Sequence, residues 1–159
     1  MAKQKTTDWQ AAHRHFSSMC FNNTWELIDK PNRSPEDELE MVQQAVASLW
    51  HWKRRIDATP TNMSIGYWQV SYVYSLIGQP DLALKYAVKC KDLSEKLEPF
   101  YLGEAYQALA AAEKAAGNTE MMEEYVAKAW QIMNTLSVSE EMEALERDIK
   151  GLARVEVRP

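Results

Sequence analysis

Two stretches of the chain share one layout 39 residues apart: an aromatic-rich helical run closed by Gly78 or Gly117, then a second amphipathic run built on small residues. Tyr67, Gly78, Ala83 and Ala87 in the first unit fall at the same offsets as Tyr106, Gly117, Met122 and Val126 in the second. Each unit reads as a helical hairpin. A hairpin cannot bury all its apolar faces alone, so successive units must stack and share a core. A scaffold of this kind presents a groove, which can hold a peptide, a small molecule or nothing. The repeat therefore constrains architecture and leaves activity open.

Capping chemistry and apolar spacing place seven helices, at about residues 7–29, 35–57, 62–77, 81–97, 99–116, 119–136 and 139–152. Helix one carries Trp9, His13, Phe16 and Cys20 on one stripe, and Asn22-Asn23 is where it could break, because both side chains compete for backbone hydrogen bonds. In Ser34-Pro35-Glu36-Asp37 the serine is an N-cap, the proline supplies a preset φ and the acids complement the helix dipole. The stripe of helix two is Leu39, Val42, Ala45, Val46, Leu49 and Ile56. Helix three is apolar or aromatic on every side, as a helix at the centre of the stack must be. Gly78 suits the left-handed position that closes it. Ser137 with Glu140 three residues later forms a capping-box pattern for helix seven. That helix has one apolar stripe, Met142, Leu145, Ile149 and Leu152, and charged residues elsewhere, which suits a C-terminal capping element. The tail from Val155 to Pro159 is expected to fray.

The chain of 159 residues suffices for one self-sufficient core. Cys20 and Cys90 lie inside helical patterns without the spacing of a disulfide framework or a zinc site, and read as reduced core thiols. The start, Met1-Ala2-Lys3-Gln4-Lys5, is polar and no apolar segment follows it, so a cytoplasmic protein without a membrane span is expected. A net charge of −5 with acids and bases interspersed disfavours nucleic acid and anionic membrane as partners. The sequence contains no HExxH, no Gly-rich phosphate loop, no GxSxG and no Cys/His cluster, so neither a catalytic residue nor a metal or cofactor is expected.

Around Gly78 and Gly117 the hairpins resemble tetratricopeptide repeats, with longer helices than the usual unit and without its tryptophan and terminal proline at the expected offsets. The implied fold is all-α: stacked antiparallel hairpins in a TPR-like α-solenoid. More specifically, Trp25-Glu26-Leu27-Ile28-Asp29-Lys30, Ala47-Ser48-Leu49-Trp50-His51-Trp52, Trp68-Gln69-Val70-Ser71-Tyr72-Val73-Tyr74 and Glu104-Ala105-Tyr106-Gln107-Ala108-Leu109-Ala110 are similar to a family of small uncharacterised bacterial proteins over residues 24 to 150. That resemblance implies a helical fold in a bacterial cytoplasm and no reaction. Val46, Tyr67 and Gln107 stand where a histidine and two acids are expected in such relatives. A polar site built on those positions is thus incomplete here.

The candidate groove is read from helix two and the start of helix three. His51 lies about 180° around helix two from Val42, near the face of Glu40, Gln44 and Arg54. Trp50 and Tyr67 fall off the main apolar stripes, and Arg54 and Arg55 beside such aromatics suit a carboxylate. His13 and His15 are two residues apart and point about 200° from each other, so they cannot share one metal. Three functions stay open. One is a non-enzymatic interaction module holding a peptide or partner helix at Glu40, Gln44, Trp50, His51, Arg54, Arg55 and Tyr67. Another is a small-molecule binder or cryptic enzyme with a pocket between helices two and three. The third is a homodimer, signalled by an exposed apolar strip around Trp130 or helix one.

Overall fold

The computed structural model describes residues 8–137 and 139–158. Among the described residues seven helices account for the architecture: α1 Trp9–Asp29, α2 Pro35–Trp52, α3 Pro60–Leu76, α4 Pro80–Ser94, α5 Pro99–Ala115, α6 Thr119–Met133 and α7 Glu140–Lys150. A 3-10 turn, Gly151–Arg154, follows α7. No strand occurs among the described residues, and no helix among them is long and apolar enough to cross a membrane.

Local chemistry explains most of the boundaries. Asp8, Ser34, Thr59, Asn118 and Ser139 each accept a backbone N–H at a helix start, and α2 to α5 open with proline, whose fixed φ suits the first turn. Two helices end identically. Gly78 (φ 71°) and Gly117 (φ 75°) take the left-handed conformation. Beyond them, Gln79 N–H donates to Tyr74 O and Asn118 N–H to Glu113 O, both at 2.9 Å, while the glycine N–H groups reach Ser75 O and Lys114 O. Tyr67 faces Tyr86 and, 39 residues on, Tyr106 faces Tyr125, each pair with ring centroids 6.1 Å apart.

Adjacent helices pack in chain order, and α3 additionally touches α5, so that α3 lies between neighbours on three sides. Ten of its residues are buried. Small groups allow the close approaches: Ser71 Oγ donates to Ala83 O at 2.8 Å between α3 and α4, and Ser48 Oγ donates to Ser17 O at 2.8 Å between α2 and α1. α7 lies across α5 and α6, burying Leu145 and Ile149.

Several expectations need correction. The start of helix one expected at residue 7 lies outside the described residues, and α1 runs unbroken through Asn22-Asn23. Its buried stripe is Ser17, Cys20, Thr24 and Ile28, whereas Trp9 and Phe16 are exposed, because close contact with α2 selects small side chains. α2 stops at Trp52 rather than residue 57, since Gln10 captures the segment that follows, donating to Arg54 O at 3.0 Å and accepting from Ile56 N at 3.1 Å. Ile56 is consequently 84% exposed, and Leu39 is 60% exposed, so neither belongs to the core stripe. Ser139, not Ser137, caps α7. Trp130 packs half-buried against the core instead of standing free. The tail is anchored as far as Arg158: Val155 is buried, and Arg158 forks onto Glu38 at 2.7 and 2.9 Å. Pro159 lies outside the described residues.

Candidate functional site

The expected groove residues separate into distinct places. On the outer face of α2, Gln44 donates to Glu40. Near the end of α2, His51 Nδ1 lies 2.8 Å from His13 Nδ1, so one ring donates and the other accepts. Trp50, 46% exposed, and Phe16 pack around this pair, and the Arg54 guanidinium covers the Trp50 ring at 3.4 Å. Burial, the facing His13 and the nearby Arg54 all lower the His51 pKa. Arg55 is fully engaged: it stacks on Trp52 at 3.7 Å, forks onto Asp57 and donates to Ser17 Oγ at 3.0 Å. Its hydrogen bonds hold the Asp57 carboxyl down at about 2. Tyr67 lies elsewhere, beside Tyr86 in a shallow depression that includes Leu82, Leu84 and Val88 of α4.

A different set of residues forms the enclosed part of the molecule. Phe21 and Trp25 of α1, Ile65 and Trp68 of α3, and Phe100 and Tyr101 of α5 wall a cavity of about 200 Å³, over which α7 places Ala144, Arg147 and Asp148. The rings are ordered by stacking: Trp25 on Trp68 with centroids 5.6 Å apart, and Trp68 on Tyr72 at 5.5 Å. Hydrogen bonds fix them. Trp68 Nε1–H donates to Gln107 Oε1 at 2.8 Å, and Gln107 Nε2 donates to Asp148 O at 3.0 Å, tying the indole to α7 through α5. Tyr72 OH donates to Gly151 O, and burial pushes its pKa up to about 12.

Glu104 is the chemically distinctive group in this cavity. It is 8% exposed, and neither carboxylate oxygen has a hydrogen-bond donor among the described residues. Beside it is a second carboxyl, that of Asp148, which can only share a proton with it. Burial first, and the Asp148 charge second, push the Glu104 pKa well above the usual carboxylate range. Burial also raises Asp148, opposed by Arg147, whose Nε lies 3.4 Å from Asp148 Oδ1.

The cavity continues in two directions. Trp25, Arg147 and Asp148 also border a space of about 370 Å³ that opens past Asp29 and Arg154, themselves paired at 3.1 Å. Phe21 and Ile65 also border a space of about 360 Å³ at Trp52 and Asn62, where α1, the end of α2 and the start of α3 meet. The three spaces adjoin, the first meeting the second at Trp25, Arg147 and Asp148 and the third at Phe21 and Ile65. Along these spaces Arg147 lies beside Asp148 and Arg154 pairs with Asp29, and the Arg147 charge also opposes the rise of the Glu104 pKa without a hydrogen bond to it. Among the described residues no three His, Cys, Asp or Glu side chains converge as a metal site requires.

Glu104 carried a sequence signal that periodicity alone underrated. On α5 it shares a face with Phe100, Ala108 and Ala111, so a lone acid interrupts an otherwise apolar stripe. The chain matches no protein-family model, no curated protein and no solved structure.

Proposed function

We propose that this chain is a non-enzymatic recognition module of tetratricopeptide type, and that the groove along α1, α3 and α5 under α7 receives an extended peptide or helix of a partner protein. The observation that carries this reading is the run of three adjoining spaces, the central one sharing Trp25 with one neighbour and Phe21 with the other, which reaches Asp29 and Arg154 at one end and Trp52 and Asn62 at the other. An isolated active-site pocket needs convergent polar groups around one reacting atom. A long groove with one buried carboxylate instead suits an elongated ligand with a single polar anchor. The aromatic walls supply contact area at little entropic cost, because Trp25, Trp68 and Tyr72 hold one another in place. The expected surface at Glu40, Gln44, His51 and Arg54 is separate from this groove and becomes a secondary contact area in the proposal.

Selection of binders from a random 12-residue phage-displayed peptide library, followed by titration of synthetic peptides, tests the proposal. Ile65→Glu, which places a charge in the groove wall, should abolish binding, whereas Leu84→Glu in the depression on α4 should leave it intact. The reverse pattern, or no selectable peptide at all, would reject it.

A further inference from the structure

We infer that the groove reads a basic side chain: the ammonium or guanidinium of one lysine or arginine in the bound peptide enters between Trp25 and Phe100 and pairs with Glu104. The inference rests on the groove being a peptide site and adds what its central pocket selects. Three observations on independent parts of the molecule converge on it.

The first is the orphaned carboxylate. A carboxylate withdrawn from water without a donor is costly, and native structures resolve such a group by pairing, protonation or ligand binding. Neither Glu104 oxygen accepts from a basic or neutral donor among the described residues, and the neighbour with which it can share a proton is another acid, Asp148, so one negative charge is left to the pair when a single proton is shared. Its counterpart one unit earlier, 39 residues before, is the apolar Ile65, which lines the same cavity.

The second is the wall. Aromatic faces carry the negative end of the ring quadrupole and attract a desolvated cation, and the effect grows as water is excluded. Phe21, Trp25, Trp68, Phe100 and Tyr101 surround the cavity; Trp68 stacks on both Trp25 and Tyr72, so the aromatic surface left for a cation is that of Phe21, Phe100, Tyr101 and the unstacked side of Trp25. An anionic ligand meets both an apolar wall and a buried acid, and is rejected. A neutral apolar side chain fits the wall but leaves Glu104 unpaired.

The third is size and charge at the mouth. A space of about 200 Å³ admits the stem and head of one long side chain and little else. Arg147 and Arg154, the cations nearest the opening, are each turned onto an acid of their own, Asp148 and Asp29. Arg147 lines the same cavity and acts on Glu104 through its charge, without a hydrogen bond to either carboxylate oxygen.

The test uses the full chain and two probe sets read by isothermal titration and by the indole N–H signals of Trp25 and Trp68 in NMR. One set is a selected peptide resynthesised with each basic residue replaced in turn by norleucine, which keeps the apolar stem and removes the charge. The other is N-acetyl-lysine methylamide and N-acetyl-arginine methylamide, with N-acetyl-norleucine methylamide as the neutral control. Replacing one particular basic residue should weaken peptide binding about 30-fold or more, and Glu104→Gln should weaken the parent peptide similarly while changing the norleucine peptide less than about twofold. Lysine and arginine amides should shift the two indole signals, and the neutral amide should not. Peptides that bind through the groove with equal affinity whether or not any basic residue is present would overturn the inference while leaving the groove reading intact. Cationic amides that bind at Trp25 and Trp68 when no peptide does would overturn the groove reading and keep the pocket's specificity. A Glu104→Gln variant that binds the basic peptide unchanged overturns the inference in either case.

Discussion

Trp68 and Gln107 occupy equivalent places in units 39 residues apart, and the indole N–H of the first donates to the side-chain oxygen of the second at 2.8 Å. The amide nitrogen of Gln107 then holds Asp148 O at 3.0 Å, so one buried side chain positions both the aromatic wall of the groove and the helix that roofs it.

Gln107→Leu should therefore cost about 1–3 kcal/mol, because it leaves the Trp68 N–H and the Asp148 carbonyl without partners in the interior. Combining it with Trp68→Phe should recover part of that loss, giving a coupling energy of about 0.5–3 kcal/mol in a double-mutant cycle measured by urea denaturation. Strict additivity would show that the hydrogen bond is not formed.

Glu104→Gln should stabilise the protein once the pH passes the raised Glu104 value, since the amide can donate to the Asp148 carboxylate where the ionised Glu104 cannot. The sign with pH follows from the raised pKa: the folded state binds the extra proton, so the native protein loses stability as pH rises from the ordinary value of 4.5 through the raised one. In thermal melts taken upward from pH 4.5 the gap between variant and native protein should widen with pH, and a gap that stays constant over the whole range in which the protein is folded would contradict this assignment.

Acid should loosen the contact between α1 and α2 for the opposite reason. The His51 pKa is lowered, chiefly by burial and then by His13, so the stability it confers is present above its ordinary value of 6.5 and is lost as pH falls through the folded value. Once both rings are imidazolium, neither can accept the 2.8 Å hydrogen bond. In a Glu104→Gln background, which removes the opposing slope, the melting temperature should fall between pH 7.5 and pH 5. His51→Gln should flatten that fall.

Gly103 is a point of close approach between α5 and α7. A Cβ there would lie 2.5 Å from Leu145 Cδ2, and Leu145 is fully buried. Gly103→Ala should displace α7 and cost about 1–3 kcal/mol as an overpacked contact. Amide exchange of α7 should accelerate more than that of α3, and uniform loss of protection would argue against a local effect.

Much of the fold was legible because it is decided locally. Gly78 and Gly117, Ser34-Pro35 and the prolines opening α4 and α5 act within one turn of chain, and a period of 39 residues exposes their repetition. What escaped depends on contacts distant in sequence. Gln10 ends α2 from 44 residues away, His13 meets His51 across 38, and Arg158 reaches Glu38 across 120. The site belongs to the same class. Glu104 is sealed only because α7 folds back over α5, and no pattern within α5 states where α7 will lie. Hence Trp50 could be placed at the surface from its helical angle, while the space walled by α1, α3 and α5 could not.

The most direct measurement is an NMR titration of the indole N–H signals of all six tryptophans with a selected peptide. Binding in the groove should move Trp25 and Trp68 together while Trp9 and Trp130 stay fixed. Shifts confined to Trp50 and Trp9 would place recognition on the outer face near His13 and His51, and would contradict the groove.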